Sequence, residues 1–279
     1  MKIKEILSLL REFHAPLDRP EETCDTVKCG DEEQECTGIA VTCYVTMDVI
    51  QQAREENVNL IICHEPLFYS HDDQQDWLQG DSVFEEKLAA LNDANIVVWR
   101  DHDHMHGPGG PFATVHEVPD YIYYGIMVEL GWQDYVVGEE TKPLWFRIPT
   151  TTVESLAKEL LEKLNLRGMR IVGDRKATVS TVYICEHVHG DAHDDQIVRN
   201  AAKADVLIPL EIVDWTVSEY VRDAAAQGKG KAILEMGHFN FEELGMKYML
   251  KWLPEVIHSA APVHYLQSGD SFDYILRAE

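Results

Sequence analysis

Residues able to do chemistry gather at three places in this sequence: His64-Glu65, the run Asp101-His102-Asp103-His104-Met105-His106, and His238-Phe239-Asn240-Phe241-Glu242. Imidazoles mixed with carboxylates suit Zn, Mn, Fe or a similar divalent ion, whereas calcium and magnesium demand nearly all oxygen. A site with few protein ligands per ion keeps positions open for water. Such water ionises near neutral pH, and two ions about 3.5 to 4 Å apart can share a bridging hydroxide, so the chemistry indicated is hydrolysis. His102 and His106 form H-x-x-x-H, and His238 and Glu242 form H-x-x-x-E. That i, i+4 spacing puts both members on one helical face, as two ligands of one ion or of neighbouring ions require.

Each cluster directly follows a short apolar run: NLIIC, ANIVVWR and KAILEMG. Continuous apolar runs read as buried parallel strands, and open α/β sheets build their sites beyond the carboxyl ends of such strands. Around them the sequence predicts a helix at 3–13, a polar cysteine-bearing stretch and a strand at 38–45. Thr46-Met47-Asp48 then starts a helix carried to Glu56. A strand at 59–63, a helix at 83–94 and a strand at 95–99 follow. Gly107-Pro108-Gly109-Gly110-Pro111 marks a loop. Leu156, Leu160, Leu161 and Leu164 share one face of a helix that Thr152 caps. RGMRIVGDRKATVSTVYICEHVHGD holds two strand candidates, and the order strand, helix, strand, helix, strand returns over 181–236. Strand and helix in alternation predict an α/β fold with mostly parallel sheets.

The two halves read as a diverged repeat. REENVNLIICHEP matches RNAAKADVLIPLE, and NIVVWRDHDHMH aligned with KAILEMGHFNFE sets His102 opposite His238 and His106 opposite Glu242. The expected division is a first α/β half over 1–125, a connecting segment over 126–180 and a second half over 181–279.

With 49 acidic against 24 basic residues and a formal charge of -25, nucleic acid and anionic membranes are disfavoured as partners, while cations are attracted. No apolar stretch approaches the roughly 20 residues that span a bilayer, and MKIKEILSLLREF is an amphipathic helix pattern. A cytoplasmic protein is expected. The six cysteines contain no C-x-x-C pair, which predicts reduced thiols. Cys63, beside His64, reads as a small buried thiol before it reads as a soft ligand. P-loop, G-x-G-x-x-G and G-x-S-x-G motifs are absent.

These landmarks resemble the Nif-three-like family, named in bacteria as GTP cyclohydrolase 1 type 2 homologs. The resemblance begins at TGIAVTCYVTMDVIQQAREENVNLIICHEPLFY, similar to the family's strand, helix and strand ending in His-His-Pro. It continues through the strand before HDHMH, where the family carries H-T-x-x-D, and closes with ADVLI and GHFNFEELGMKYM, similar to its Gly-His-x-x-x-Glu segment. Membership implies a duplicated α/β fold with the metal site between its halves, a hexameric ring and two divalent metal ions. Carried over by position, the ligands are His64, His238 and Glu242. Glu65 stands where the family has its second histidine, and His106 where it has its aspartate. With these exchanges the expected metal set is His64, Glu65, His102, His106, His238 and Glu242. Asp103 and His104 are expected as further ligands, supports to ligands or proton carriers.

His14, His71, His116, His258 and His264 read as surface or satisfied core residues. His187 and His189, with Glu186, Asp191 and His193 nearby, form either a polar exposed turn or an acid and base pair facing the same cavity; His189 is the candidate catalytic residue there. GDEEQE and HDDQQD read as solvated turns. Lys163, Arg167, Arg170, Arg175 and Lys176 form a basic concentration that an exposed helix end and hairpin explain as well as an anionic substrate or neighbouring subunit does. The function expected is a metal-dependent hydrolase of a small molecule, with a nucleotide such as GTP the class the resemblance implies. A non-catalytic metal-binding or regulatory assembly protein is the second reading.

Overall fold

The computed structural model describes residues 1–107 and 118–276. Most of the expected glycine and proline loop, from Pro108 on, lies outside the described residues, as does His116. The strands are β1 (Val27–Cys29), β2 (Ile39–Thr42), β3 (Leu60–Cys63), β4 (Val97–Arg100), β5 (Trp145–Thr152), β6 (Arg170–Gly173), β7 (Thr178–Val188), β8 (Val206–Ile212), β9 (Ala232–Glu235) and β10 (Val263–Tyr265). The helices are α1 (Ile3–Phe13), α2 (Met47–Glu55), α3 (Ser82–Asp93), α4 (Asp103–His106), α5 (Tyr121–Leu130), α6 (Val153–Leu164), α7 (Asp194–Ala201), α8 (Val217–Ala226), α9 (His238–Tyr248) and α10 (Leu253–Val256). Among the described residues no helix is long and apolar enough to cross a membrane.

The chain divides into two compact units, one of residues 1–125 and 242–268, the other of residues 126–241 and 269–279. The first holds a five-stranded sheet in the order β1-β4-β3-β2-β10, in which β2, β3, β4 and β10 run parallel and β1 antiparallel. Every residue of β2, β3 and β4 is buried, which is why these strands read as unbroken apolar runs. Val49, Ile50 and Ala53 of α2, with Phe84 and Leu91 of α3, cover Ala40, Ile61 and Val98 of that sheet. Each such side chain contributes roughly 1.5 to 3 kcal/mol when taken out of water. Thr46 caps α2 by accepting from the Val49 amide, as the helix start predicts.

The second unit repeats the plan. Its sheet runs β5-β7-β8-β9-β6, with β7, β8 and β9 parallel and their crossover helices α7 and α8 packed through Ile197, Ala201, Val217 and Val221. Both sheets therefore share a β-α-β-α-β core with an antiparallel strand outside its third member. Residues 126–180 carry β5, α6 and β6, all of which precede β7, the first strand of the repeated core. Residues 242–268 return to the first unit and supply its edge strand β10. The sequence hides this because β10 has three residues, all half-buried, and lies far from its partner β2 along the chain.

Candidate metal centre

In the first unit the carboxyl ends of β3 and β4 deliver His64 and the segment from Asp101 onward. His64 is fully buried and Glu65 follows it. Arg100, also fully buried, donates from Nε to the His64 carbonyl at 3.0 Å and from Nη1 to His71 O at 2.7 Å and Asp73 Oδ2 at 3.1 Å. Lys28 adds a second cation 2.9 Å from Asp73. HDDQQD is thus more than a solvated turn, since Asp73 is the anion that neutralises the buried arginine fixing the His64 backbone.

The segment after β4 folds as the single turn α4, with the His106 amide bonded to the His102 carbonyl at 3.1 Å. Asp25 holds this turn. Its Oδ1 accepts from the His102 and Asp103 amides at 2.7 and 3.0 Å, and its Oδ2 from the His104 amide at 2.9 Å. His104 Nδ1 meets the same Oδ2 at 2.6 Å. Burial alone would lower the His104 pKa, yet the Asp25 carboxylate holds it above its ordinary value. Asp103 is buried and accepts from Thr23 Oγ1 at 2.7 Å and the Cys24 amide at 3.0 Å.

Three imidazoles converge here with their second nitrogens anchored. His64 Nδ1 lies 3.1 Å from the Asp101 carbonyl, His102 Nδ1 lies 2.9 Å from Asp103 Oδ1, and His106 Nδ1 lies 3.2 Å from Asp120 Oδ2. Carbonyls and carboxylates only accept, so each Nδ1 carries the proton and each Nε2 is a donor to a metal. Burial, with His102 close by, pushes the His64 pKa well down, so this ring is neutral. The Nε2 atoms of His64 and His106 are 3.2 Å apart, and Glu242 brings Oε2 to 3.6 Å from the first and Oε1 to 4.0 Å from the second. Two nitrogen lone pairs facing at that distance repel unless a positive charge lies between them. Ligand atoms of His64, His102 and His106, and again of His64, Glu65 and Glu242, lie within 4.8 Å of one another, so the residues fit a divalent ion.

The description Duf34/NIF3 (NGG1p interacting factor 3) is that of a family model matching residues 1–109 and 125–268. The chain belongs to the Duf34/NIF3 family. It is similar to a GTP cyclohydrolase 1 type 2 homolog of Clostridium perfringens, 25% identical over 250 residues covering 87% of each chain. A protein of the same name from Clostridium acetobutylicum is 22% identical over 268 residues, covering 92% of this chain and 91% of that one. The solved structure of Staphylococcus aureus hypothetical protein SA1388 shares the fold at TM-score 0.67 and 19% identity, covering 99% of both chains. A Bacillus cereus protein related to NIF3 does so at TM-score 0.65 and 15% identity, again over 99% of both.

This Duf34/NIF3 chain carries a second cluster, within the second unit. His238 opens α9 there and sets Nδ1 2.8 Å from Glu211 Oε2, while α9 continues to Glu242 in the first unit. His187 Nδ1 and His189 Nε2 lie 2.7 and 2.6 Å from Glu211 Oε1. Glu186 instead pairs with Lys142 at 2.6 Å, and Asp191 accepts from the His193 amide. Cys63 is a core thiol, pushed up to about 12 by burial and bonded to the Glu65 carbonyl. Asp25 and Asp120 were missing from the sequence-derived site. Asp120 doubles as the cap of α5, accepting from the Ile122 and Tyr123 amides, and nothing adjacent to it in sequence marks it.

Proposed function

We propose that the first-unit cluster is a divalent-metal centre and that the protein is a metal-dependent hydrolase of a small molecule. The observation that carries this reading is the convergence of the His64 and His106 Nε2 atoms on each other and on the Glu242 carboxylate, with the His102 ring packed against both imidazoles and each Nδ1 engaged by its own acceptor. An ion held there would supply Lewis acidity and an activated water at neutral pH. Asp103, Asp120 and the Asp101 carbonyl keep the imidazoles in the binding tautomer. Asp25 and Arg100 hold the two backbone segments that deliver them. Glu65 extends the donor set toward a second ion, and the mixed nitrogen and oxygen character favours zinc, manganese or iron. The names of the Clostridium relatives point to a nucleotide such as GTP as substrate class. The free thiols of all six cysteines accord with a cytoplasmic protein, and the resemblance adds a homohexamer and His238 as a further ligand.

The test is metal analysis of protein purified without chelator or nickel resin, followed by incubation of the loaded protein with GTP, other nucleotides and generic phosphoesters. Stoichiometric metal, with turnover that disappears in His64→Ala and in Glu242→Gln, is expected. Absence of metal, with none taken up on titration, refutes the centre. Bound metal without turnover across the panel turns the reading to a binding or regulatory protein.

A further inference from the structure

We infer that the second unit binds a nucleoside monophosphate in a cleft at the carboxyl ends of β8 and β9, its base against Phe272 and Tyr274 and its phosphate toward Arg222. This inference stands apart from the metal centre proposed above, whose failure would leave it untouched. It accounts for part of the basic concentration at 163–176. Arg175 pairs with Glu154 on α6, whereas Arg170 enters the wall of the cleft and Arg167 builds that wall.

Two adjoining cavities, of about 330 and 150 Å³, share Arg170 and Glu235 in their walls. Together they match the volume that small-molecule sites commonly have. Arg170 lies opposite Glu235 in the β6 to β9 register, and Val172 lies opposite Ile233. Strand alternation therefore puts all four on one face of the sheet, the face on which α8 packs through Val217 and Val221. Here β8 and β9 end, and open α/β sheets assemble their ligand sites at such ends.

The outer wall of the larger cavity is the segment Phe272-Asp273-Tyr274. Arg167 fastens it, donating from Nη2 to the Phe272 carbonyl at 2.8 Å and from Nη1 to Asp273 Oδ1 at 3.1 Å. The Tyr274 hydroxyl donates to the Gly168 carbonyl at 2.8 Å. Two glycines make room for the rings. A Cβ at Gly168 would fall 2.9 Å from Tyr274 ring atoms, and one at Gly237 would fall 3.4 Å from Phe272 Cε2. Phe272 nevertheless stays 51% exposed, so an aromatic ring held at the cavity keeps much of its surface open. Planar bases stack on such platforms whatever their identity. Glu235, almost fully buried, takes Arg170 Nε on Oε2 at 2.6 Å, which leaves Oε1 to accept from a ring N–H or an amino group of the base.

Charge sets the rest of the ligand. Arg170 neutralises Glu235 and Arg167 neutralises Asp273, so neither carboxylate repels an anion strongly. Arg222, in the wall of the smaller cavity, pairs with no carboxylate among the described residues and is the group placed to take a phosphate. Asp214 stands in the same wall, so the added charge of a di- or triphosphate would meet repulsion that one guanidinium does not offset.

The experiment is calorimetric titration of the full chain, held in chelator, with AMP, GMP, CMP and UMP, with the matching nucleosides and with inorganic phosphate. One mononucleotide per chain is expected to bind, in the wild type and equally in His64→Ala/Glu242→Gln. Phe272→Ala should weaken nucleoside and nucleotide alike, by about 10-fold. Arg222→Gln should weaken the nucleotide by about 10-fold and leave the nucleoside unchanged. Both residues are exposed, and circular dichroism checks that the variants keep the fold. Absence of binding by every mononucleotide overturns the site, as does an affinity that neither variant changes. Inorganic phosphate binding as tightly as the nucleotides also overturns it, since the aromatic wall would then contribute nothing. Loss of metal from the first unit, measured separately by elemental analysis, bears on the metal centre alone.

Discussion

Asp25 uses both carboxylate oxygens on the turn that carries His102, Asp103 and His104, accepting from three backbone amides and the His104 ring. It is buried, so these bonds are not shared with water and their loss leaves donors unsatisfied at roughly 1 to 3 kcal/mol each. Asp25→Asn places an amide NH₂ against N–H donors and lets the turn relax. Partners that orient metal-bound histidines typically carry about 10- to 100-fold in affinity. Zinc affinity of Asp25→Asn, measured by competition with a chelator, is therefore expected to fall by that factor while the ligand residues remain intact; an unchanged affinity would remove Asp25 from the centre. The sequence reveals His64, His102, His106 and Glu242 because each sits at or just beyond a strand end in a chemically marked run. Asp25 and Asp120 carry no such mark. One lies in a polar stretch 77 residues before the amide it holds and the other at a helix start, so only the folded chain shows that they serve the same turn.

At the scale of elements, α5 and α9 meet through two glycines. A Cβ added at Gly245 would lie 2.6 Å from Ile122 Cα and 2.8 Å from its carbonyl oxygen, and one at Gly125 would lie 2.8 Å from Gly245 Cα. α9 also carries Glu242, so this contact sets where the carboxylate stands. In an open helix Gly→Ala gains about 1 kcal/mol. Here overpacking against backbone, with nothing flexible to give way, reverses the sign by roughly 1 to 3 kcal/mol. Urea unfolding of Gly245→Ala is expected to show a lower midpoint; a midpoint at or above that of the wild type would mean that the helices do not meet this closely. Neither helix was assigned from the sequence. α5 follows a stretch without clear periodicity, and Gly245 inside the α9 pattern weakens its helical signal, although His238 and Glu242 were already placed on one helical face. The strands of both parallel cores were legible because burial on two faces makes them continuously apolar. β1, β5 and β10 were not, since their half-buried or mixed patterns resemble loops.

Over the whole molecule a formal charge of -25 opposes compactness, and the first-unit cluster draws buried His64 and Glu242 into the same small volume. A ligand that binds only the folded chain stabilises it by RT ln(1 + [L]/Kd), about 2.7 kcal/mol at 100 times Kd. For units of this size each kcal/mol moves the melting temperature by roughly 2 to 4 °C, so saturating zinc is expected to raise it by about 5 to 10 °C and chelation to reverse the rise. Sodium chloride also relieves charge repulsion, but it acts on all exposed charges and needs an ionic strength near 0.1 M or more to do so. The two effects separate by concentration and by residue. Micromolar zinc should raise the melting temperature of the wild-type chain. His64→Ala/Glu242→Gln should abolish the response to zinc while leaving the response to salt. A zinc-induced shift that survives both substitutions would assign the stabilisation to general neutralisation of an acidic surface, and the first-unit centre would lose its claim to it.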